Sequence, residues 1–360
     1  MIDQTPESAP DASAEGQAKA GNGSEPRGER NPLSHLRVII RQLLGLRESG
    51  IFIALVLIFS ITALISPEFR TGFNLTILAE QTATIAIMGT GQTLVIISGA
   101  FDISQAAVAG LAAMVSALIW QDLGLNPILA LLAGILCGVL AGITNGILAS
   151  VFRLHPIVMT LATSTIFMGV TYLLTGGQPV IGLPSQLLWL GGGTIGPVPV
   201  SVIVMIIVVA FMQILLTRVR FGVRVRQVGG NVEAARLIGI NVRRVWLGVF
   251  VISAVLAALG GEIEMGRIGN AIPTIGSTLL FPIITASILG GTLLTGGEGS
   301  MIGTMLGAVV LTVINNALVI LQVNPYSQDI VQGALVVAAL IVDQFRRKQL
   351  TLRNLLRPEL

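Results

Sequence analysis

Residues 127–149 read PILALLAGILCGVLAGITNGILA, an uncharged run in which Gly134, Gly138, Gly142 and Gly146 recur every four positions. About 20 consecutive apolar residues cross the hydrocarbon core of a bilayer as a helix. This run has that length and is continuously apolar rather than alternating, which excludes a barrel strand. Its glycines share one helical face and let a neighbouring helix approach closely. Comparable runs occur at about 50–66, 75–98, 103–120, 156–174, 198–217, 245–263, 278–293, 301–321 and 327–343, so ten spans are expected.

Composition agrees with an all-α polytopic membrane protein. Of 360 residues, 53% are hydrophobic and 11% charged, and the mean hydropathy is +0.86. A soluble domain carries about 25% charged residues because its surface faces water. The single cysteine, Cys137, excludes an internal disulfide. With only His35 and His155 beside it, neither a metal site nor a cofactor is expected. There is no GxxxxGK[ST] loop: Gly89-Thr-Gly-Gln-Thr lacks the lysine and lies in a span. There is also no HExxH and no Ser/His/Asp set, so the chain is not expected to be an enzyme.

Charge distribution gives the expected orientation, since Lys and Arg concentrate in cytoplasmic loops. Ten spans put both termini on one side, and nineteen of the 21 Lys and Arg then fall on that side; Arg70 and Arg267 are the exceptions. The net charge of +3 therefore belongs to an N-in, C-in topology, and no nucleic-acid partner is expected. Residues 1–32, rich in Ala, Gly, Ser, Pro and Glu, read as a disordered cytoplasmic tail without a signal peptide. The transmembrane domain is expected over 33–345, followed by a basic tail at 346–360. The external loop near 175–197 is uncharged and rich in Gly and Pro, which suits a docking surface, a short gate or a plain connector.

The one long cytoplasmic loop, 218–244, contains the most informative segment. Asn231 suits a helix N-cap and Glu233 the first turn, where the dipole favours an acid. Ala234, Ala235 and Leu237 favour helix, and Gly239 suits a left-handed end. A short capped helix is expected between two Arg clusters, outside the membrane. It reads as a place where something docks.

The run GGNVEAARLIGINV at 229–242 resembles the cytoplasmic coupling segment of ABC-type permeases for monosaccharides, the ribose, xylose and arabinose import group. Three further stretches are similar to motifs of that family: Pro156–Thr163 with Leu174–Pro179, Ala286–Thr292 with Gly296–Gly299, and the pair Asn315-Asn316. The family's Gly-Ile-Asp-Leu-Ser-Val-Gly is matched by Ala100-Phe-Asp-Ile-Ser-Gln-Ala106, which keeps Asp102 and Ser104 and replaces the glycines. Branched-chain amino acid permeases are distant relatives of the group. The resemblance implies a permease homodimer in the bacterial inner membrane, with no chemistry of its own. It implies an ATP-binding-cassette ATPase docked through Gly229, Gly230, Asn231, Glu233, Ala234, Ala235, Arg236 and Gly239, and a periplasmic substrate-binding protein outside.

Polar residues inside spans face protein or a water-filled path by default. Glu80, Gln81, Gln92, Asn145, Thr160, Thr163, Asn315 and Asn316, with Asp102 of the 100–106 motif, are candidates for a translocation path. Amides and hydroxyls suit a sugar, whose hydroxyls donate and accept hydrogen bonds; the same residues also suit interhelical bonding. A second glycine ladder, Gly299, Gly303 and Gly307, opens the ninth span as the first fills the fourth. That spacing suits an inverted repeat of spans 2–5 and 7–10, a recurrent transporter plan. Two other readings remain at this point. An ion-coupled secondary transporter needs a buried acid or His relay, for which Glu80 is the expected member. A structural or receptor-like membrane protein predicts no flux.

Overall fold

The computed structural model describes residues 49–346; the expected N-terminal tail and nearly all of the basic C-terminal tail lie outside the described residues. The described chain is helical apart from a two-strand hairpin, Thr194–Ile195 with Val198–Pro199. Its helices are α1 (Ser49–Ile65), α2 (Gly72–Ile97), α3 (Gln105–Leu123), α4 (Pro127–Ser150), α5 (Pro156–Thr175) and α6 (Ser185–Gly192). They continue as α7 (Val200–Arg218), α8 (Arg220–Gly230), α9 (Val232–Leu237), α10 (Val242–Ile268), α11 (Leu280–Leu289), α12 (Met301–Ile320) and α13 (Pro325–Arg346).

Six of these, α3, α4, α5, α7, α10 and α12, are long and apolar enough to cross a membrane. Helix α2 has the length, but Glu80, Gln81, Gln92 and its threonines lower its hydropathy. The reason is its position: Thr82–Ile97 is buried without interruption, so α2 faces protein. Helix α10 is similarly enclosed from Ala254 to Gly266, broken only at Val255 and Leu259. By contrast α4 and α5 carry exposed Leu132, Leu136, Leu140, Val158, Leu161 and Ile166, as lipid-facing helices do.

The eighth segment departs from expectation. In place of a continuous span over 278–293 the chain forms the ten-residue α11. At 1.5 Å per residue that covers about 15 Å, half of the ~30 Å core. Gly290 and Gly291 end it, the latter at φ 90°, and the chain then runs without helix to Ser300.

The glycine of each ladder removes the Cβ that would separate two backbones. On α4, a Cβ at Gly138 would lie 2.6 Å from the Cβ of Ala258, and at Gly142 2.6 Å from the Cα of Val251. Gly146 meets Leu247, and Gly134 leaves no room beside Glu262 and Ser116. The first ladder is thus the seam between α4 and α10. The second does not repeat it: Gly303 and Gly307 press on Gly290 and Ala286 of the α11 region, and Gly299 on the Ile97 side chain.

The helix contacts themselves are paired. Helix α4 packs on α10 as α12 packs on α2; α3 packs on α4 as α11 on α12. Likewise α3 contacts α10 and α5 as α11 contacts α2 and α13. Helices α2 and α10 meet at the centre. The expected external loop is anchored: Val180 bridges to Ala271, and Gly191 of α6 sits against Ile263 and Gly266 of α10.

Candidate functional site

The segment 218–244 holds two helices rather than one. Its first Arg cluster is itself helical, because Gly222, Val225 and Val228 recur at helical spacing and bury one face of α8. Helix α9 forms as its sequence suggests. Asn231 Oδ1 accepts the Ala234 N–H at 2.9 Å, Glu233 occupies the first turn, and Gly239 adopts φ 81°. Glu233 and Arg236 form an exposed ion pair at 2.6 Å. Ala235 points inward, whereas Leu237 and Ile238 are 88% and 66% exposed. Two bare apolar side chains thus stand at the tip of the helix, flanked by arginines; the sequence reading takes Leu237 only as a helix former and does not single out Ile238. Between α8 and the start of α10 lies a cavity of about 450 Å3, bounded by Phe221, Arg224, Ile238 and Arg244 among others.

Gly229 and Gly230 end α8, and their roles differ. Gly230 is open, but Gly229 has no space for a Cβ between the Ile97 carbonyl and the Gly297 nitrogen. Gly297 donates its N–H to the Ile97 carbonyl at 2.8 Å. Gly99, Gly296 and Gly297 adopt left-handed φ values of 79°, 86° and 82° in the same junction. The end of α8, the end of α2 and the link between α11 and α12 therefore meet backbone to backbone. Trp246 of α10 joins them by donating Nε1–H to the Ser98 carbonyl at 3.3 Å.

Just beyond this junction the α2–α3 turn carries a buried polar chain. Asn145 of α4 donates to the Ser104 hydroxyl at 2.7 Å, and Ser104 donates to Asp102 Oδ1 at 2.6 Å. From the other side Gln105 donates to the Ser253 hydroxyl at 2.5 Å, and Ser253 donates to Asp102 Oδ2 at 3.3 Å. Each hydroxyl accepts one bond and donates one, and the carboxylate closes both arms. Thr160 of α5 accepts the Ile103 N–H at 3.1 Å. Asp102, Asn145 and Thr160 are thus brought together, with Thr163 one turn along α5.

The other expected path residues lie apart. Gln92 is fully buried in α2, and neither its Nε2 nor its Oε1 has a hydrogen-bond partner. Asn316 exchanges amide hydrogen bonds with Asn74 at 2.7 and 3.0 Å, clamping α12 to the start of α2. Asn315 faces the other way, beside Phe281, Thr285 and Gln332. Sequence reading also passed over two acids in α10. Glu262 is buried and accepts from Ser116 at 2.9 Å; Glu264 accepts from Thr84 at 3.2 Å and from Arg267 Nε at 3.0 Å. Acids within an apolar run, next to Gly260-Gly261, were the signal available.

A family described as branched-chain amino acid transport system / permease component matches residues 74–340. The chain belongs to that family. Among relatives, the ribose import permease protein of Bacillus subtilis is 34% identical over 302 residues, 83% of this chain and 93% of the relative. The D-allose transport system permease protein of Escherichia coli is 35% identical over 301 residues, 83% of this chain and 92% of the relative. The galactose/methyl galactoside import permease protein of Escherichia coli is 32% identical over 320 residues, 84% and 95% respectively. No solved structure matches. The family resemblance carried by the four motifs is borne out, and membership makes the permease a non-catalytic, multi-pass membrane subunit.

Proposed function

We propose that this permease is the membrane subunit of an ATP-driven importer that carries a monosaccharide or similar polyol across the bacterial inner membrane. The observation that carries the reading is the exposed, capped α9, with Leu237 and Ile238 bare at its tip and α8 seated through Gly229 on the end of α2. An ATPase gripping α9 from the cytoplasm moves α8, and at Gly229 α8 has no side-chain slack against the end of α2 and the α11–α12 link. The ribose, allose and galactose permeases among the relatives support a sugar as cargo. A homodimer and a periplasmic binding protein complete the system.

Ten passages with both ends inside remain the topology we favour, with α11 as a half-length passage. The paired helix contacts support an inverted repeat of α2–α5 and α10–α13 better than the glycine ladders do. The test is uptake of labelled sugar into cells or proteoliposomes containing the cognate ATPase. Glu233→Arg and Gly239→Pro are expected to abolish uptake while membrane insertion persists. Normal uptake in both overturns the coupling role.

The ion-coupled reading gains Glu262 and Glu264 as buried acids, yet each is already held by Ser116 or Arg267. Uptake that persists without the ATPase and stops with an ionophore selects that reading.

A further inference from the structure

We propose that the permease holds one anionic phospholipid by its phosphate in a basic cavity between the α4–α5 turn and the start of α10. The cavity, about 280 Å3, is lined by Ser150, Arg153, Arg236, Asn241, Arg243 and Trp246 among others. No carboxylate lines it. Arg236 is shared with Glu233, but among the described residues Arg153 and Arg243 have no ion pair. Three guanidiniums around one cavity suit a phosphate, which they grip in bidentate fashion.

Two further features point the same way. One wall is the first turn of the 27-residue α10, where Asn241 caps the Arg244 N–H at 3.1 Å. The N–H groups of Val242 and Arg243 remain directed at the cavity end of the helix, which carries the positive end of the dipole. Arg153 itself adopts φ 55°, a left-handed conformation that costs a non-glycine residue about 1 kcal/mol or more. That bend tightens the turn between α4 and α5 and leaves Arg153 on the cavity wall.

The rim decides between occupants. Val151, Phe152 and Leu154, the neighbours of Arg153, are 53%, 65% and 45% exposed. They sit at the ends of two lipid-facing helices, where acyl chains run past. A free phosphate makes no use of that rim. A protein partner docked on α9 reaches Arg236 but makes no use of the apolar rim at the ends of α4 and α5. An anionic headgroup with its own acyl chains uses both, as basic pockets between transmembrane helices do for anionic lipids. Location in the cytoplasmic leaflet rests on the topology favoured above; the binding itself does not.

The experiment is native mass spectrometry of the full-length permease after exchange in mixed micelles of phosphatidylglycerol and phosphatidylcholine. The wild type is expected to retain one phosphatidylglycerol and no phosphatidylcholine, with excess inorganic phosphate failing to displace it. Arg153→Gln combined with Arg243→Gln is expected to cut retention about tenfold or more, two charge-assisted contacts being lost. The double Arg→Lys variant keeps the charge but loses the bidentate grip, and is expected to retain less than the wild type and more than the double Gln variant. Phe152→Gln, on the exposed rim, weakens retention without touching the charges and serves if the double Gln variant elutes as an aggregate. Equal retention in the Gln and Phe152 variants, or of both lipids, overturns the site. Displacement by phosphate makes it a soluble-anion site instead. Loss of ATPase association with lipid retention unchanged makes it a protein contact. Labelling of Arg153→Cys from each side of sealed vesicles reads the topology independently.

Discussion

Gly229 leaves no space for a single carbon between itself and the Ile97 carbonyl. This contact joins the end of helix α8 to the end of the buried helix α2 through main-chain atoms alone. Gly229→Ala must push the two backbones apart, at about 1–3 kcal/mol as for other overpacked sites. Its neighbour Gly230 has open space around it. We expect Gly229→Ala to lower the melting temperature in detergent and reduce ATP-driven uptake, with Gly230→Ala near wild type in both.

On α9 the expected effects separate stability from docking. The Glu233–Arg236 pair is exposed, and such pairs contribute about 0–1 kcal/mol. Leu237 is 88% exposed and packs on almost nothing. Glu233→Ala and Leu237→Asp should therefore leave thermal unfolding unchanged while weakening co-purification of the ATPase. A fall in melting temperature matching the loss of binding assigns these residues to the fold instead.

Asp102 accepts bonds from the Ser104 N–H, the Ser104 hydroxyl and the Ser253 hydroxyl. Asp102→Ala strands all three buried donors, at about 2–4 kcal/mol. Asn145→Ala removes one donor at the end of the chain and is expected to cost about 1 kcal/mol, within the range of interhelical bonds in membranes. Unfolding in graded denaturant measures both, and equal losses contradict the order.

Much of the architecture is legible as a run-length pattern: nine of the ten apolar segments coincide with helices of nearly the expected bounds. The eighth misleads because its apolar content continues across Gly290-Gly291, where the backbone turns. Helix α8 hides behind arginines that a sequence reading assigns to topology, although Gly222, Val225 and Val228 carry the helical period. Within residues 218–244 the Asn231 cap and the Gly239 turn are local, so local reasoning finds them. The Asp102 network is not local. Ser253 and Asn145 stand far from Asp102 in sequence, and nothing near either residue announces the other. The same holds for Asn74 and Asn316.

Gln92 offers a test of path against packing. A fully buried amide with neither atom bonded is a cost of about 1–3 kcal/mol that the fold alone does not require. Gln92→Met is expected to raise the melting temperature and, if the amide meets sugar during transport, to raise the KM for uptake. Unchanged uptake in a stabilised variant removes Gln92 from the path.

The α4–α10 seam predicts a sharp contrast. Gly138→Val must displace Ala254 and Ala258, whereas Gly169 on α5 has nothing within 4 Å. We expect Gly138→Val to insert in the membrane yet elute as aggregate, and Gly169→Val to elute as wild type; identical elution profiles contradict the seam.

The enclosure of α2 bears on how the protein is made. A newly inserted α2 without α10, α11 and α12 presents Gln92 and Thr93 to acyl chains, and Thr93 there lacks Thr304 of α12, its partner in the fold. Those neighbours are synthesised more than a hundred residues later. Biogenesis therefore has a long interval in which the helix destined for the centre is the one least suited to lipid, and a chain truncated before α10 should be a substrate for membrane quality-control proteolysis.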